Sequence, residues 1–249
     1  MRTALALLLW MSAPAVAQDI HILGEVHDNP LHHIEQANQI AAITPSAIVF
    51  EMLTPDQAAL VNSSDRNDPN LSTIIGWEES GWPEFAIYAP IFAASDAPVY
   101  GAALPRDTVI AAIASSAADV FGEGADRYGL TTLSDDLRAA MEAEQAEAHC
   151  DALPAEMLPG MVEAQRLRDA HFARVTLTAY DETGGPVVLI TGNGHARTDR
   201  AVPAYIARVR PELTVHALGL LEAPEDDAPF DRVIVTAPAE RDDPCAAFR

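Results

Sequence analysis

The sequence contains no lysine. All 15 of its basic side chains are arginines, set against 37 acids, and the formal net charge is −22. Without lysine there is no Schiff-base amine and no phosphate-cradling P-loop lysine, so recognition of anions falls to arginines and backbone amides. So large a negative charge also disfavours nucleic acid and anionic membrane surfaces as partners. Long apolar runs are missing too: beyond the first residues, no segment approaches the roughly 20 apolar residues that a membrane helix needs. No serine carries a Gly-x-Ser-x-Gly elbow, which disfavours a serine hydrolase of that type. Cysteine is scarce, with only Cys150 and Cys245. Neither has a motif that would lower its thiol pKa, and an even count in an oxidising compartment predicts one disulfide between them.

What is present suits one globular domain. The chain has 249 residues, of which 49% are hydrophobic and 21% charged, enough to bury a single core. Residues 1–17 read as a secretory signal, with Arg2 at the start, an apolar run from Ala4 to Met11 and a small-residue cleavage site at Ala15-Val16-Ala17. Cleavage there removes Arg2 and no acid, which leaves a net charge of −23 on residues 18–249. The expectation is a periplasmic or secreted protein, and with no cysteine near the cleavage point nothing marks a lipid attachment site.

Six short apolar runs, at 20–24, 47–50, 99–102, 187–191, 215–220 and 233–236, read as strands. Most are unbroken rather than alternating, as in parallel strands covered on both faces. Helical patterns lie between them, at 30–42 and 197–208, and Thr54-Pro55-Asp56-Gln57 has the form of a capping box with proline at the first helical position. Two longer helical stretches, 134–149 and 159–180, interrupt the strand-helix alternation. The predicted fold is α/β, an open, mostly parallel sheet flanked by helices with a helical insertion.

In such a sheet the carboxyl ends of the strands share one edge, where ligands bind. Those ends carry Gly24-Glu25-Val26-His27-Asp28, Phe50-Glu51, Leu104-Pro105-Arg106-Asp107 and Thr191-Gly192-Asn193-Gly194-His195. Glu25, His27, Glu51 and His195 are therefore expected to converge. Glu25 and His27, two apart, point to the same side if the strand persists, as an acid/base pair or paired ligands require. His27, His195 and Glu25 form a set able to hold a divalent transition metal, and the glycines flanking His195 allow a sharp turn that brings amides close to a ligand.

The run Leu23-Gly24-Glu25-Val26-His27-Asp28-Asn29, followed by His32-His33 and Gln36, together with Ile190 to Arg197, resembles the ChaN-like family of haem-binding uptake proteins in the Tiki and erythromycin-esterase-like superfamily. The resemblance extends through Tyr88-Ala89-Pro90, Leu104-Pro105-Arg106, Gln165 and Arg168-Asp169. It implies an α/β fold, an extracytoplasmic place in haem or iron acquisition, and a polar cleft built from Glu25, His27, Glu51, Arg106 and His195. In related branches comparable Glu and His positions serve metal-dependent proteolysis or metal-free hydrolysis.

Five of the 15 aromatic residues, Trp77, Trp82, Phe85, Tyr88 and Phe92, fall between positions 77 and 92. Phe85, Tyr88 and Phe92 share one helical face, which serves either as ordinary core or as the apolar wall a macrocycle needs, and Pro90 would kink that helix. Under the haem reading Tyr88, His33 or His195 supplies the axial ligand, and Arg106, Arg197 and Arg200 are candidates to meet propionates. Of the adjacent His32 and His33, one can face the cleft. A haem shared between two copies of the chain would cover an exposed apolar patch, though no residue demands a homodimer. The competing reading is a hydrolase in which Glu25 and His27, with Glu51 and His195, activate water, with or without a metal.

Overall fold

Alternation along the strands decides which side of the sheet each residue meets. A computed structural model describes residues 19–243, 245 and 246; the expected signal, 1–17, lies outside the described residues. The six strands are β1 (Ile20–Glu25), β2 (Ala47–Phe50), β3 (Val99–Gly101), β4 (Val187–Gly192), β5 (Val215–Leu221) and β6 (Arg232–Val235). They form one sheet in the order β3-β2-β4-β1-β5-β6, and every pairing is parallel. Parallel strands need crossovers, and helices supply all but the β5–β6 one, which is a loop: α1 (Pro30–Ile43), α2 (Pro55–Ser63), α3 (Phe85–Ala93), α4 (Arg106–Ala114), α5 (Ala117–Phe121), α6 (Asp135–Ala148), α7 (Leu158–Thr183) and α8 (Val202–Val209), with a few single turns between them. The predicted fold class is the observed one.

Ile20, Ile22, Val49 and Leu189 point to one face, where they meet Leu167, Phe172 and Leu177 of α7 together with Val202 and Ile206 of α8. Leu23, Ile48, Phe50 and Ile190 point to the other, against Ile40 of α1, Val61 of α2 and Tyr88, Ile91 and Phe92 of α3. Both faces of the central strands are covered, β2 and β4 being buried along their whole length, which is why these strands read as unbroken apolar runs rather than alternating ones; the edge strand β6 is more exposed.

Local signals account for the element ends. Thr54 and Gln57 form the expected capping box, with Pro55 in the first turn of α2. Asn29 caps α1 through its side chain, which accepts from the Leu31 N–H at 2.9 Å. The 26-residue α7 ends at Gly184, whose φ of 79° is costly for any residue with a Cβ.

The edge that carries the site is held from the C-terminal side. Arg241 grips both carboxylate oxygens of Asp28, at 2.6 and 2.7 Å, and also Glu222 at the end of β5. The expected disulfide joins Cys150, after α6, to Cys245 across 95 residues of sequence. A crosslink closing so long a loop restricts the unfolded chain strongly. Replacing both cysteines by alanine is expected to lower the unfolding free energy by roughly 2–4 kcal/mol, read as a lower urea midpoint; an unchanged midpoint would show that the tail contributes nothing.

Candidate functional site

Sheet order sets the order of the site. Across the carboxyl edge, β3 leads to Arg106, β2 to Glu51, β4 to Gly192 and His195, and β1 to Glu25 and His27. Glu51 directly follows β2, and its N–H donates to Ile190 O at 3.0 Å. The convergence expected of these four strand ends is present. It takes the form of two hydrogen-bonded networks, one towards each face of the sheet.

The first is built on Glu25, whose side chain is 0% exposed. β1 stops at Glu25, so His27 lies in the following turn; it nonetheless folds back, its Nδ1 2.8 Å from Glu25 Oε1. The Tyr88 hydroxyl donates to the same oxygen at 2.8 Å and lies 3.1 Å from the His27 carbonyl oxygen. Glu25 Oε2 makes no hydrogen bond, and it forms an ion pair with His33 Nδ1 at 3.3 Å. His33 is ringed by acceptors: Nε2 meets His27 O at 2.9 Å, and Nδ1 meets Gln36 Oε1 at 3.2 Å. The Gln36 amide is oriented by its own N–H bond to Leu23 O at 3.0 Å. A neutral imidazole has one donor, so satisfying acceptors at both nitrogens requires the imidazolium.

The charges follow. Burial alone would raise the Glu25 pKa, but the His27 and His33 imidazoles outweigh it and hold the carboxyl at about 2. Burial works against both imidazolium ions in turn, and Glu25 wins, so both histidines are raised. Burial and the adjacent Glu25 charge push the Tyr88 phenol far above its usual range, so Tyr88 remains a neutral donor. His32, also fully buried, accepts from the Val26 N–H at 2.9 Å. Neither His32 nor His33 opens onto the cleft.

The second network centres on His195. Its Nδ1 lies 2.7 Å from Asp169 Oδ1 and 3.1 Å from the Gln165 side-chain amide, both on α7. Its Nε2 faces Glu51 Oε1 at 3.5 Å. The other Glu51 oxygen accepts from Thr191 Oγ1 at 2.6 Å and from the Gly192 N–H at 2.8 Å. Burial favours a protonated Glu51, yet the charges of His195 and His27 together with these hydrogen bonds hold its pKa below the ordinary value. Burial raises Asp169 to about 6 even beside His195, and Glu51 and Asp169 raise His195 against its own burial.

The networks meet at Gly192. A Cβ there would lie 2.8 Å from His27 Nε2, so glycine at this position admits the imidazole. The amide of Gly192 is spent on Glu51, and Asn193–Ala196 is a helical turn; Gly192 thus serves internal packing, not a loop wrapped around a ligand. Each histidine has a carboxylate on Nδ1, an arrangement that fixes its tautomer and turns Nε2 away from the anchor.

Beside Glu51 and His195 opens a cleft of about 720 Å³, within the range usual for cofactor sites. Met52, Trp82, Leu104, Pro105 and Phe172 form the apolar part of its lining, and Arg106, Arg168 and Glu79 are among its charged residues. Trp82 also packs on His27, with ring centroids 4.8 Å apart. The helical aromatic face predicted from sequence goes elsewhere: Tyr88 and Phe92 are core, packed on Trp77 and Phe50, and α3 continues through Pro90. Arg197 is bound by Asp199 at 2.8 Å and, with Arg200, by Glu144, away from this cleft. Sequence named Arg168 and Asp169 only as part of the family resemblance, without a role, and Trp82 only within the aromatic segment; of that segment it is Trp82 that lines the cleft.

As a metal centre the site is a poor fit. Glu25 spends its oxygens on His27, Tyr88 and His33, and among the described residues no group of three or more His, Cys, Asp or Glu side chains is placed to hold an ion. As a haem site it fits better, combining an apolar cleft, an anchored imidazole and arginines.

Fold and site define an α/β protein with anchored histidines at the carboxyl edge of a parallel sheet. Residues 11–206 match the family model described as haem-binding uptake, Tiki superfamily, ChaN, and the chain belongs to that family. Among solved structures it is similar to ChaN of Campylobacter jejuni, described as showing cofacial haem binding, with a TM-score of 0.64 and 17% identity over 87% of each chain. That likeness is one of fold. The type III effector HopBA1 aligns with a TM-score of 0.46 and 9% identity over 89% of this chain and 88% of the other, too weakly to carry an argument. No curated protein matches the sequence.

The Glu25 network predicts a pH profile. The Glu25 pKa falls from an ordinary 4.5 to about 2 on folding, so its contribution, about 3 kcal/mol at 1.36 kcal/mol per unit, is complete above pH 4.5 and lost as pH falls towards 2. The raised histidines contribute fully below their ordinary 6.5, and that part is lost as pH rises through their folded values. The stability difference between wild type and Glu25→Gln, from urea unfolding, is therefore expected to peak between about pH 4.5 and 6.5. A difference that does not vary with pH would contradict the ion-pair network.

Proposed function

We propose that this protein binds haem in the cleft beside His195, outside the cytoplasm, as a component of haem or iron acquisition. The observation that carries the reading is the lining of that cleft. An apolar wall of Trp82, Met52, Leu104, Pro105 and Phe172 stands beside the imidazole of His195, whose Nδ1 is anchored on buried Asp169 at 2.7 Å. An axial imidazole needs its far nitrogen held in this way; Nε2 faces Glu51 Oε1 at 3.5 Å, and iron would take that nitrogen in place of the carboxylate. Tyr88 and His33 are committed to Glu25, which leaves His195 as the imidazole that lines the cleft. Membership of a haem-binding family supports the ligand. The Cys150–Cys245 disulfide supports an oxidising compartment, in keeping with the signal-like residues 1–17.

A second reading rests on the other anchored histidine. His27, with Nδ1 on Glu25 and a side chain 33% exposed, has the geometry of a general base. In that reading Glu25 orients the imidazole rather than touching water, because its own side chain is buried. A hydrolase of this kind would lose turnover in His27→Ala while keeping its fold.

Titration of the protein with haemin is expected to give a saturable Soret shift, and His195→Ala to change the position of the bound Soret band or abolish binding. Absence of any shift in the wild type would sink the haem reading. An unaltered bound spectrum in His195→Ala would remove His195 as the ligand.

A further inference from the structure

In a chain with a net charge of −22, cations that line a cleft without a carboxylate partner are conspicuous. Arg166, Arg197, Arg200, Arg210 and Arg241 each rest on a carboxylate. Arg106 and Arg168 both line the main cleft, and neither guanidinium is hydrogen-bonded or ion-paired among the described residues, although the Arg168 charge is felt by Asp169 and His195. Glu79 lines the same cleft without pairing to either. Local structure gives no reason for these positions. Arg106 opens α4, where the helix dipole disfavours a cation. Arg168 is on α7 next to Asp169, which takes His195 rather than its neighbour.

We infer that Arg106 and Arg168 recognise the carboxylates of a tetrapyrrole, so that the cleft selects its ligand by its acid groups and accepts metal-free porphyrin as well as haem. Guanidinium groups bind carboxylates through paired, charge-assisted hydrogen bonds, and the apolar wall between the networks suits the macrocycle. The inference rests on the haem reading for the ligand class, but it does not require iron.

The test uses the intact protein and two fluorescent probes, protoporphyrin IX and its dimethyl ester, with haemin absorption measured alongside. Wild type is expected to bind the diacid about ten-fold or more tightly than the diester, as loss of charged hydrogen bonds predicts. The double variant Arg106→Gln, Arg168→Gln is expected to lose that preference and bind both probes alike, with an unchanged melting temperature. Equal affinity of wild type for diacid and diester, or a double variant that keeps the preference, would overturn the inference while a haemin Soret shift left the haem reading standing. Acid-selective porphyrin binding with no haemin shift would support the arginine site and remove the iron-binding reading. Failure of all three ligands to bind would overturn both.

Discussion

A carboxylate buried without contact to water is the constraint around which this site is organised. Burying an unpaired charge costs several kcal/mol, and Glu25 is placed at the end of a central strand under α1 and α3. Its cost is offset by three side chains from separate elements: His27 from the turn after β1, His33 from α1 and Tyr88 from α3. Each is held by something further out, His33 by Gln36 and Tyr88 by the stacked aromatic core. Tyr88 and His33 therefore read as the support of the site, and the residues left facing the cleft are those whose anchors lie behind them.

The same logic repeats on the other face of the sheet. Asp169, on α7, sits behind His195, and Glu51 occupies the gap between that imidazole and the amide of Gly192. Two histidines anchored at Nδ1 and separated by a carboxylate can hold a ligand at Nε2 or move a proton there. Both readings of function draw on this arrangement. The haem reading is favoured because the cleft beside His195 has an apolar wall among its polar groups and because the chain belongs to a haem-binding uptake family.

Much of the fold was legible in the sequence. All six apolar runs became strands, most of them because burial on both faces leaves an unbroken signature; the capping box at Thr54 followed from local chemistry and the disulfide from the even cysteine count. Convergence of Glu25, His27, Glu51 and His195 was legible from the parallel-sheet rule. Orientation was not. Helical periodicity groups Phe85, Tyr88 and Phe92 on one face but cannot tell a core from a cleft wall, and here Tyr88 and Phe92 are core. Adjacent histidines at a helix start gave no sign that both would be buried. Arg197 was legible in sequence as a propionate candidate or a salt-bridge partner, and Asp199, two residues on, makes it the latter. Asp169 acquires its role only when α7 packs over the end of β4, a contact between residues 26 positions apart.

The most direct test of the central claim is a crystal structure of the protein grown with haemin, with iron located by its anomalous signal. A single iron site is expected in the cleft lined by Trp82 and Phe172, within coordination distance of His195 Nε2. Iron bound only on the outer surface, away from that cleft, would contradict it.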